Sequence, residues 1–154
     1  MSHGLPDFYR GVDIAYQALG EMIVRPKYGA ANRAVGGGAV SGVTQNELIS
    51  VAGKGIIYGG LLYAYNSESL VGDSIYYEID GNQVAYWSFY NLAKYNITKG
   101  PTIGFYLLKY DDVKFVYSVA FSSGLTFESS FLVRYDSTVI AAHTAWCHMF
   151  YALI

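Results

Sequence analysis

From Leu48 onward, apolar and polar residues alternate along the chain in the way typical of β-strands with one buried face. The alternation is clearest over residues 125–135, where Phe131 and Val133 fall on one face while Glu128 and Arg134 fall on the other. A strand pattern that continues almost to the end of the chain leaves little room for helices. The sequence therefore predicts about eight strands and hardly any helix.

Short turn signals separate these strands. Residues 80–82 read Asp-Gly-Asn, which suits the left-handed backbone of a tight hairpin turn. Asp111 and Asp112 separate two further alternating segments, residues 103–110 and 113–121, and are predicted to form a two-residue hairpin turn. Strands joined by turns at regular intervals predict an all-β fold, an antiparallel β-sandwich of the jelly-roll-like kind.

The first 47 residues differ in character from the rest. Pro26 precedes a run rich in glycine and alanine over residues 29–42, and no alternating pattern is visible there. We therefore expect residues 1–47 to form an N-terminal arm or attachment segment and residues 48–154 to form the β-sandwich domain. The arm either crosses onto a neighbouring subunit or is disordered.

The composition indicates that other subunits cover part of the surface of this chain. Charged residues make up 14% of the chain, against roughly 25% in typical soluble domains, and hydrophobic residues make up 53%. A membrane span is not expected, because the longest nearly uncharged apolar stretch, residues 139–154, is interrupted by His143, Thr144 and His148, whereas a spanning helix needs about 20 apolar residues. Subunit association remains as the explanation for the low charge.

The last strand region, residues 139–153, carries apolar side chains at both parities, so one core cannot cover them all. We expect it to lie at the interface of a homo-oligomer, with the candidate contacts Val139, Trp146, Met149, Tyr151 and Leu153. The hydroxyls of Tyr58, Tyr63, Tyr65 and Tyr76 are further candidate hydrogen-bond donors at such an interface.

A second cluster of aromatic residues lies between the predicted hairpin and residue 96. Aromatic rings beside polar groups can form a platform for a sugar, and they are equally common in sandwich cores and interfaces. The candidate glycan contacts are Tyr86, Trp87, Tyr90 and Tyr95.

No catalytic, cofactor or metal motif is recognisable in the sequence, so we expect no enzymatic activity and no cofactor. His143 and Cys147 share a strand face but lie about 13 Å apart, too far for a nucleophilic pair. Glu78 and Asp80 also share a face, and are interpreted as a solvent-facing residue and a turn residue rather than a glycosidase pair.

The remaining composition limits the partners and the compartment. The net charge is −2 and the basic residues are scattered, so nucleic-acid binding is not expected. Cys147 is the single cysteine, and no secretory signal pattern is visible, which together lead us to expect assembly in a cytoplasm.

Four stretches in order carry a resemblance: VAGKGIIYGG at residues 51–60, EIDG at 78–81, GLTFESSFLV at 124–133 and the closing strand to Ile154. The pattern resembles β-sandwich structural proteins of tailed phages and related viruses, which are capsid decoration, head-fibre or tail components. The resemblance implies a non-enzymatic virion protein, found in virions assembled in the host cytoplasm. It also implies a homotrimer that docks on other virion proteins such as the major capsid protein. A carbohydrate-binding or receptor-binding module is the alternative function.

Overall fold

The computed structural model of the chain describes residues 31–40, 42, 44–98, 104–121 and 123–154. The described residues form ten strands, which are β1 (Asn32–Val40), β2 (Gln45–Ala52), β3 (Gly55–Tyr65), β4 (Ser74–Ile79), β5 (Asn82–Ser88), β6 (Phe105–Asp111), β7 (Val116–Phe121), β8 (Leu125–Phe127), β9 (Ser130–Asp136) and β10 (His143–Leu153). One short helix, α1 (Phe89–Lys94), lies between β5 and β6.

The strands pair into two antiparallel sheets. The larger sheet has the order β1-β10-β3-β7-β6, with β8 paired beside β3, and the smaller sheet has the order β2-β9-β4-β5. The chain passes repeatedly from one sheet to the other, as it does between β1 and β2 and between β9 and β10. The predicted antiparallel β-sandwich is confirmed, with two strands more than the sequence pattern indicated.

The inner faces of the two sheets meet in an aromatic core. Along β9, Phe131, Val133 and Tyr135 are fully buried while the residues between them are half-exposed, as the alternation predicted. Across the core, the rings of Tyr77 in the smaller sheet and Phe105 in the larger sheet lie 5.0 Å apart. Because buried apolar area stabilises a fold by about 25 cal/mol per Å², these rings hold the two sheets together.

The two open sides of the sandwich are closed differently. On one side β1 crosses closely over β2, and a Cβ at Gly36 would lie 1.6 Å from the carbonyl oxygen of Leu48, so only glycine fits there. On the other side α1 fills the gap with the buried side chains of Phe89 and Leu92. Ser88 begins this helix by accepting a hydrogen bond from the backbone N–H of residue 91.

The predicted arm, residues 1–47, is too long. Residues 32–40 form β1, which pairs along its whole length with β10, and β2 begins at Gln45, so both belong to the sandwich. The glycine-rich sequence did not predict β1, because strands pair through their backbones and need no alternation of side chains. Residues 1–30, 41 and 43 of the predicted arm lie outside the described residues.

The two predicted turns have different outcomes. Asp80 and Gly81 form the β4–β5 hairpin turn with φ values of 52° and 79°, as predicted. The predicted two-residue turn at Asp111 and Asp112 is wrong, because Asp111 still pairs in β6 and the turn runs over residues 112–115. The Asp111 carboxylate accepts a hydrogen bond from the backbone N–H of Lys114, which stabilises this longer turn.

Candidate association surface

The outer faces of the two sheets differ in chemistry. On the smaller sheet, Arg134 lies 3.4 Å from the carboxylate of Glu78, and the hydroxyl of Tyr86 donates to Asp136 over 3.0 Å. The larger sheet instead presents aromatic and aliphatic side chains on its outer face. We call these residues the aromatic patch, which consists of Val35, Leu61, Tyr63, Tyr65, Trp146, His148 and Phe150.

Cross-strand pairing makes the aromatic patch continuous, because β10 lies between β1 and β3. Tyr63 pairs directly with Trp146, while Leu61 pairs with His148, which has Val35 on its other side. Residues directly opposite each other in an antiparallel sheet point to the same face, so their side chains lie in contact range. The patch therefore crosses three neighbouring strands without interruption.

In the part of the chain that the structure describes, four side chains of the aromatic patch are exposed. Phe150 is 51% exposed, Tyr65 47%, Val35 45% and Leu61 36%. Single exposed apolar side chains are normal on protein surfaces, but a contiguous group of them marks a site that binds another surface. The clustering on one sheet face is what distinguishes this patch.

Among the described residues, the charged side chains of this outer face come from its two edge strands, β1 and β6. At one edge the Arg33 guanidinium lies 3.0 Å from Nδ1 of His148. At the opposite edge, on β6, Lys109 lies 3.6 Å from the carboxylate of Asp111. A face whose middle strands carry apolar side chains and whose edge strands supply the charged ones has the anatomy of a protein–protein interface.

The size of the face also matches a protein partner. Five adjacent strands spaced about 4.8 Å apart span about 20 Å, and seven or eight residues at about 3.3 Å each give a length of about 25 Å. Such a face has a projected area of about 500 Å², which is of the same order as the area of about 800 Å² per partner that standard interfaces bury.

The structure separates the predicted interface residues. Trp146 lies in the aromatic patch, and Leu153 is exposed at the end of β10. Val139 and Tyr151 are half-buried and pack against the core. Met149 was predicted at the interface and lies instead in the core, fully buried, so it offers no surface to a partner.

The parity of β10 explains this correction. His143, Ala145, Cys147 and Met149 point inward and are buried, while Trp146 and the other patch residues point outward. Both sets are largely apolar, so the sequence alone did not tell the inner face from the outer one. Of the four candidate tyrosines, Tyr63 and Tyr65 lie in the patch, Tyr58 is exposed on β3, and Tyr76 is buried on the smaller sheet.

The four candidate glycan contacts do not form one platform. Tyr86 and Trp87 are neighbours on β5 and point to opposite faces, Tyr86 toward Tyr76 and Trp87 toward the core. Tyr90 and Tyr95 come together instead, with the Lys94 ammonium 5.7 Å and 5.6 Å from the two ring centres. This pair, 49% and 60% exposed, is what remains of the predicted platform.

One buried polar cluster lies where the chain passes between the sheets. The Asp73 carboxylate accepts hydrogen bonds from the hydroxyl of Tyr135 over 2.6 Å and from the backbone N–H and hydroxyl of Thr138 over 2.8 and 2.7 Å. His143 places Nε2 3.2 Å from the same carboxylate and Nδ1 3.0 Å from the carbonyl oxygen of Ala141. Both ring nitrogens therefore lie near acceptor oxygens, and the hydrogen bonds of Asp73 to Thr138 link the β3–β4 connection to the β9–β10 connection.

The other candidate chemical groups also have structural surroundings. Burial raises the pKa of the Cys147 thiol, which keeps it protonated and unreactive. Glu78 pairs with Arg134, and Asp80 binds the backbone of the β8–β9 connection. Within the described residues, no group of three or more His, Cys, Asp or Glu side chains is placed to hold a metal ion.

Comparison with known proteins adds no family to this picture. No protein-family model matches the chain, and no curated protein matches it. In the part of the chain that the structure describes, no helix combines the length and the apolar character needed to cross a membrane.

Proposed function

We propose that the chain is a non-enzymatic structural subunit that associates with copies of itself through the aromatic patch. The observation that carries this proposal is the concentration of exposed apolar side chains on the outer face of the larger sheet, whereas the outer face of the smaller sheet carries the ion pair of Arg134 and Glu78. Covering these side chains gains about 25 cal/mol per Å² of apolar area, which offsets the entropy cost of association.

A second copy is the partner that best fits the patch. A symmetric contact places the same surface on itself, so a surface rich in one charge would repel its own copy. The patch avoids this, because the charged side chains of this face are Arg33 on the edge strand β1 and the ion pair of Lys109 and Asp111 on the opposite edge strand β6, among the described residues. Patch-to-patch packing is isologous and closes as a dimer. The expected trimer would join the patch to a different surface of the next subunit.

The setting that we propose for this assembly is a virus particle. The resemblance to structural proteins of tailed phages supports it, and so does the sandwich fold, whose larger sheet carries the aromatic patch on its outer face. In that setting the subunit is a capsid decoration, head-fibre or tail component, with neighbouring virion proteins such as the major capsid protein as further partners. Purified particles that contain the chain at a fixed copy number would support this location, and particles without it would contradict it.

Sedimentation of matched variants at micromolar concentration tests the association itself. We expect the wild-type chain to form a species larger than its 17.0 kDa monomer. Leu61→Glu places a charge in the centre of the patch and should return the chain to the monomer with the sandwich still folded. Val84→Glu is the control, because Val84 is equally apolar and 54% exposed but lies on β5 of the smaller sheet. A monomeric wild type, or equal dissociation by both variants, would contradict the proposal.

Carbohydrate binding is a second candidate function, supported by the exposed pair Tyr90 and Tyr95 that flanks Lys94. Aromatic rings with a neighbouring charged donor can contact the faces and hydroxyls of a sugar. Calorimetric titration with maltohexaose and chitohexaose tests it. Binding that disappears in Tyr90→Ala and persists in Tyr86→Ala would support this candidate, and no binding of either sugar would count against it.

A further inference from the structure

We propose that His148 makes association through the aromatic patch sensitive to pH, so that protonation of its ring weakens the contact. This inference rests on the proposed self-association and adds its regulation. The relevant observation is the position of the ring, in the middle of the patch between Val35 on β1 and Leu61 on β3. Any partner that covers the patch therefore covers this imidazole as well.

The contact with Arg33 defines which nitrogen of His148 carries the proton. A guanidinium has only donors, so the nitrogen that faces it must accept. Nη2 of Arg33 lies 3.0 Å from Nδ1 of His148, and Nδ1 is therefore unprotonated in this arrangement. The neutral ring then carries its hydrogen on Nε2. Protonation of Nδ1 would break this hydrogen bond, because Nδ1 and Nη2 would then both be donors. It would also place two positively charged groups within 3.0 Å of each other.

Among the described residues around His148, no negative charge compensates a charge on the ring. From β3, the ring of Tyr63 stacks on the imidazole with centres 5.9 Å apart and an angle of 14° between the planes. From β1, the charged group that faces it is Arg33. Among the described residues, no carboxylate forms an ion pair with either group. On its own strand, the neighbours on the same face are Trp146 and Phe150.

Histidine differs from the other titratable residue types of this face in the pH range where its charge ordinarily changes. Histidine is the side chain that ordinarily changes its charge between about pH 5 and pH 8, and tyrosines remain neutral there. A hydrogen bond from the backbone N–H of Lys114 lowers the pKa of Asp111, which keeps the ion pair with Lys109 charged. His143 lies on the inner face of β10, away from the patch.

The consequence for a covered patch follows from the low dielectric of an interface. When His148 is neutral, Arg33 carries the single positive charge of this pair. Protonation of the ring adds a second positive charge, which the partner must also cover. In a patch-to-patch dimer both copies bring this pair to the contact, so the number of uncompensated charges doubles. We expect the dissociation constant to rise at least about tenfold between about pH 8 and about pH 5.

Sedimentation equilibrium of the full chain at both pH values tests the inference, with His148→Phe as the matched variant. Phenylalanine keeps an aromatic ring against Tyr63 and cannot be protonated, so its association should be equal at both values. A wild type that associates equally at both values, or a pH response that persists in His148→Phe, would overturn the inference and leave the proposed self-association intact. A wild type that is monomeric at both values would overturn both.

A second measurement does not depend on association. The nitrogen chemical shifts of the His148 ring at about pH 8, in a range where histidine is ordinarily neutral, report its tautomer. We expect the proton on Nε2 and an unprotonated Nδ1. A ring with its proton on Nδ1 would contradict the contact with Arg33 on which the inference depends.

Discussion

The carboxylate of Asp80, at the tip of the β4–β5 turn, accepts a hydrogen bond of 2.7 Å from the backbone N–H of Ser129, in the connection between β8 and β9. The neighbouring N–H groups of Ser130 and Glu128 point at the same carboxylate. These hydrogen bonds lower the pKa of Asp80 to about 2, with the contact to Ser129 contributing most. The turn residue of the β4–β5 hairpin thus fixes the backbone of a connection that joins strands of two different sheets.

Acid should weaken the fold through this carboxylate. Its pKa is lower in the folded chain than in the unfolded one, so its stabilisation is present above about pH 4 and is lost as the pH falls toward 2. We expect Asp80→Asn to lower the melting temperature at neutral pH and to flatten its decline between about pH 4 and about pH 2. Glu68→Gln, at an exposed carboxylate between β3 and β4, is the control. Equal acid profiles for the wild type and Asp80→Asn, measured by circular dichroism, would contradict this role.

Removing β1 should damage the sandwich. A shortened chain that starts at Gln45 lacks the nine residues of β1 that pair with β10, and it leaves the edge of β10 and the adjacent core open to water. We expect the cooperative thermal transition to be lost or shifted strongly downward. A chain that starts at Ala31 keeps every described strand and is the control. Identical transitions for the two shortened chains would show that β1 contributes little.

The buried Asp73 cluster should contribute to stability through its hydrogen bonds. Tyr135→Phe removes the hydroxyl that donates to Asp73 and leaves the other partners of that carboxylate in place. Leaving a buried polar group without one partner costs about 1–3 kcal/mol. We expect this loss in urea unfolding, and no comparable loss for Tyr58→Phe, whose side chain is exposed on β3. An unchanged free energy of unfolding in Tyr135→Phe would contradict the assignment.

Two neighbouring residues of β10 should respond oppositely to the same substitution. Met149 is fully buried, so Met149→Glu forces a carboxylate into the apolar core and should prevent folding. Phe150 is half-exposed and pairs across the strands with Arg33, so Phe150→Glu should keep the fold and weaken association. Circular dichroism spectra and thermal transitions distinguish the two. A folded Met149→Glu chain would show that the inner face of β10 has been assigned incorrectly.

The alternation of apolar residues was sufficient to predict the sandwich, and the reason is visible in β9. There the inward residues are large and apolar, and Arg134 marks the outward parity. In β10 both parities carry apolar side chains, so Met149 and Trp146 were predicted at the same interface although they lie on opposite faces. Only the position of β10 between β1 and β3, with the smaller sheet on one side, decides which parity is the core.

The missed first strand has a different cause. Gly36 has no side chain to reveal an alternation, and it is required because the carbonyl of Leu48 approaches the backbone of β1 closely. That approach is a property of the folded sandwich and leaves no local signal beyond the glycine itself. The aromatic patch was predicted in part, through Trp146, Tyr63 and Tyr65. Its extension to Val35 could not be predicted, because Val35 belongs to β1 and the sequence pattern did not indicate that strand.

The most direct test of the central proposal follows the environment of Trp146. The chain has two tryptophans, and Trp87→Phe leaves Trp146, in the aromatic patch, as the only one. If copies associate through the patch, the emission of Trp146 shifts to shorter wavelength and acrylamide quenches it less as concentration and sedimenting mass rise together. A mass that rises while the emission and the quenching of Trp146 stay constant would place the contact on another surface and contradict the proposal.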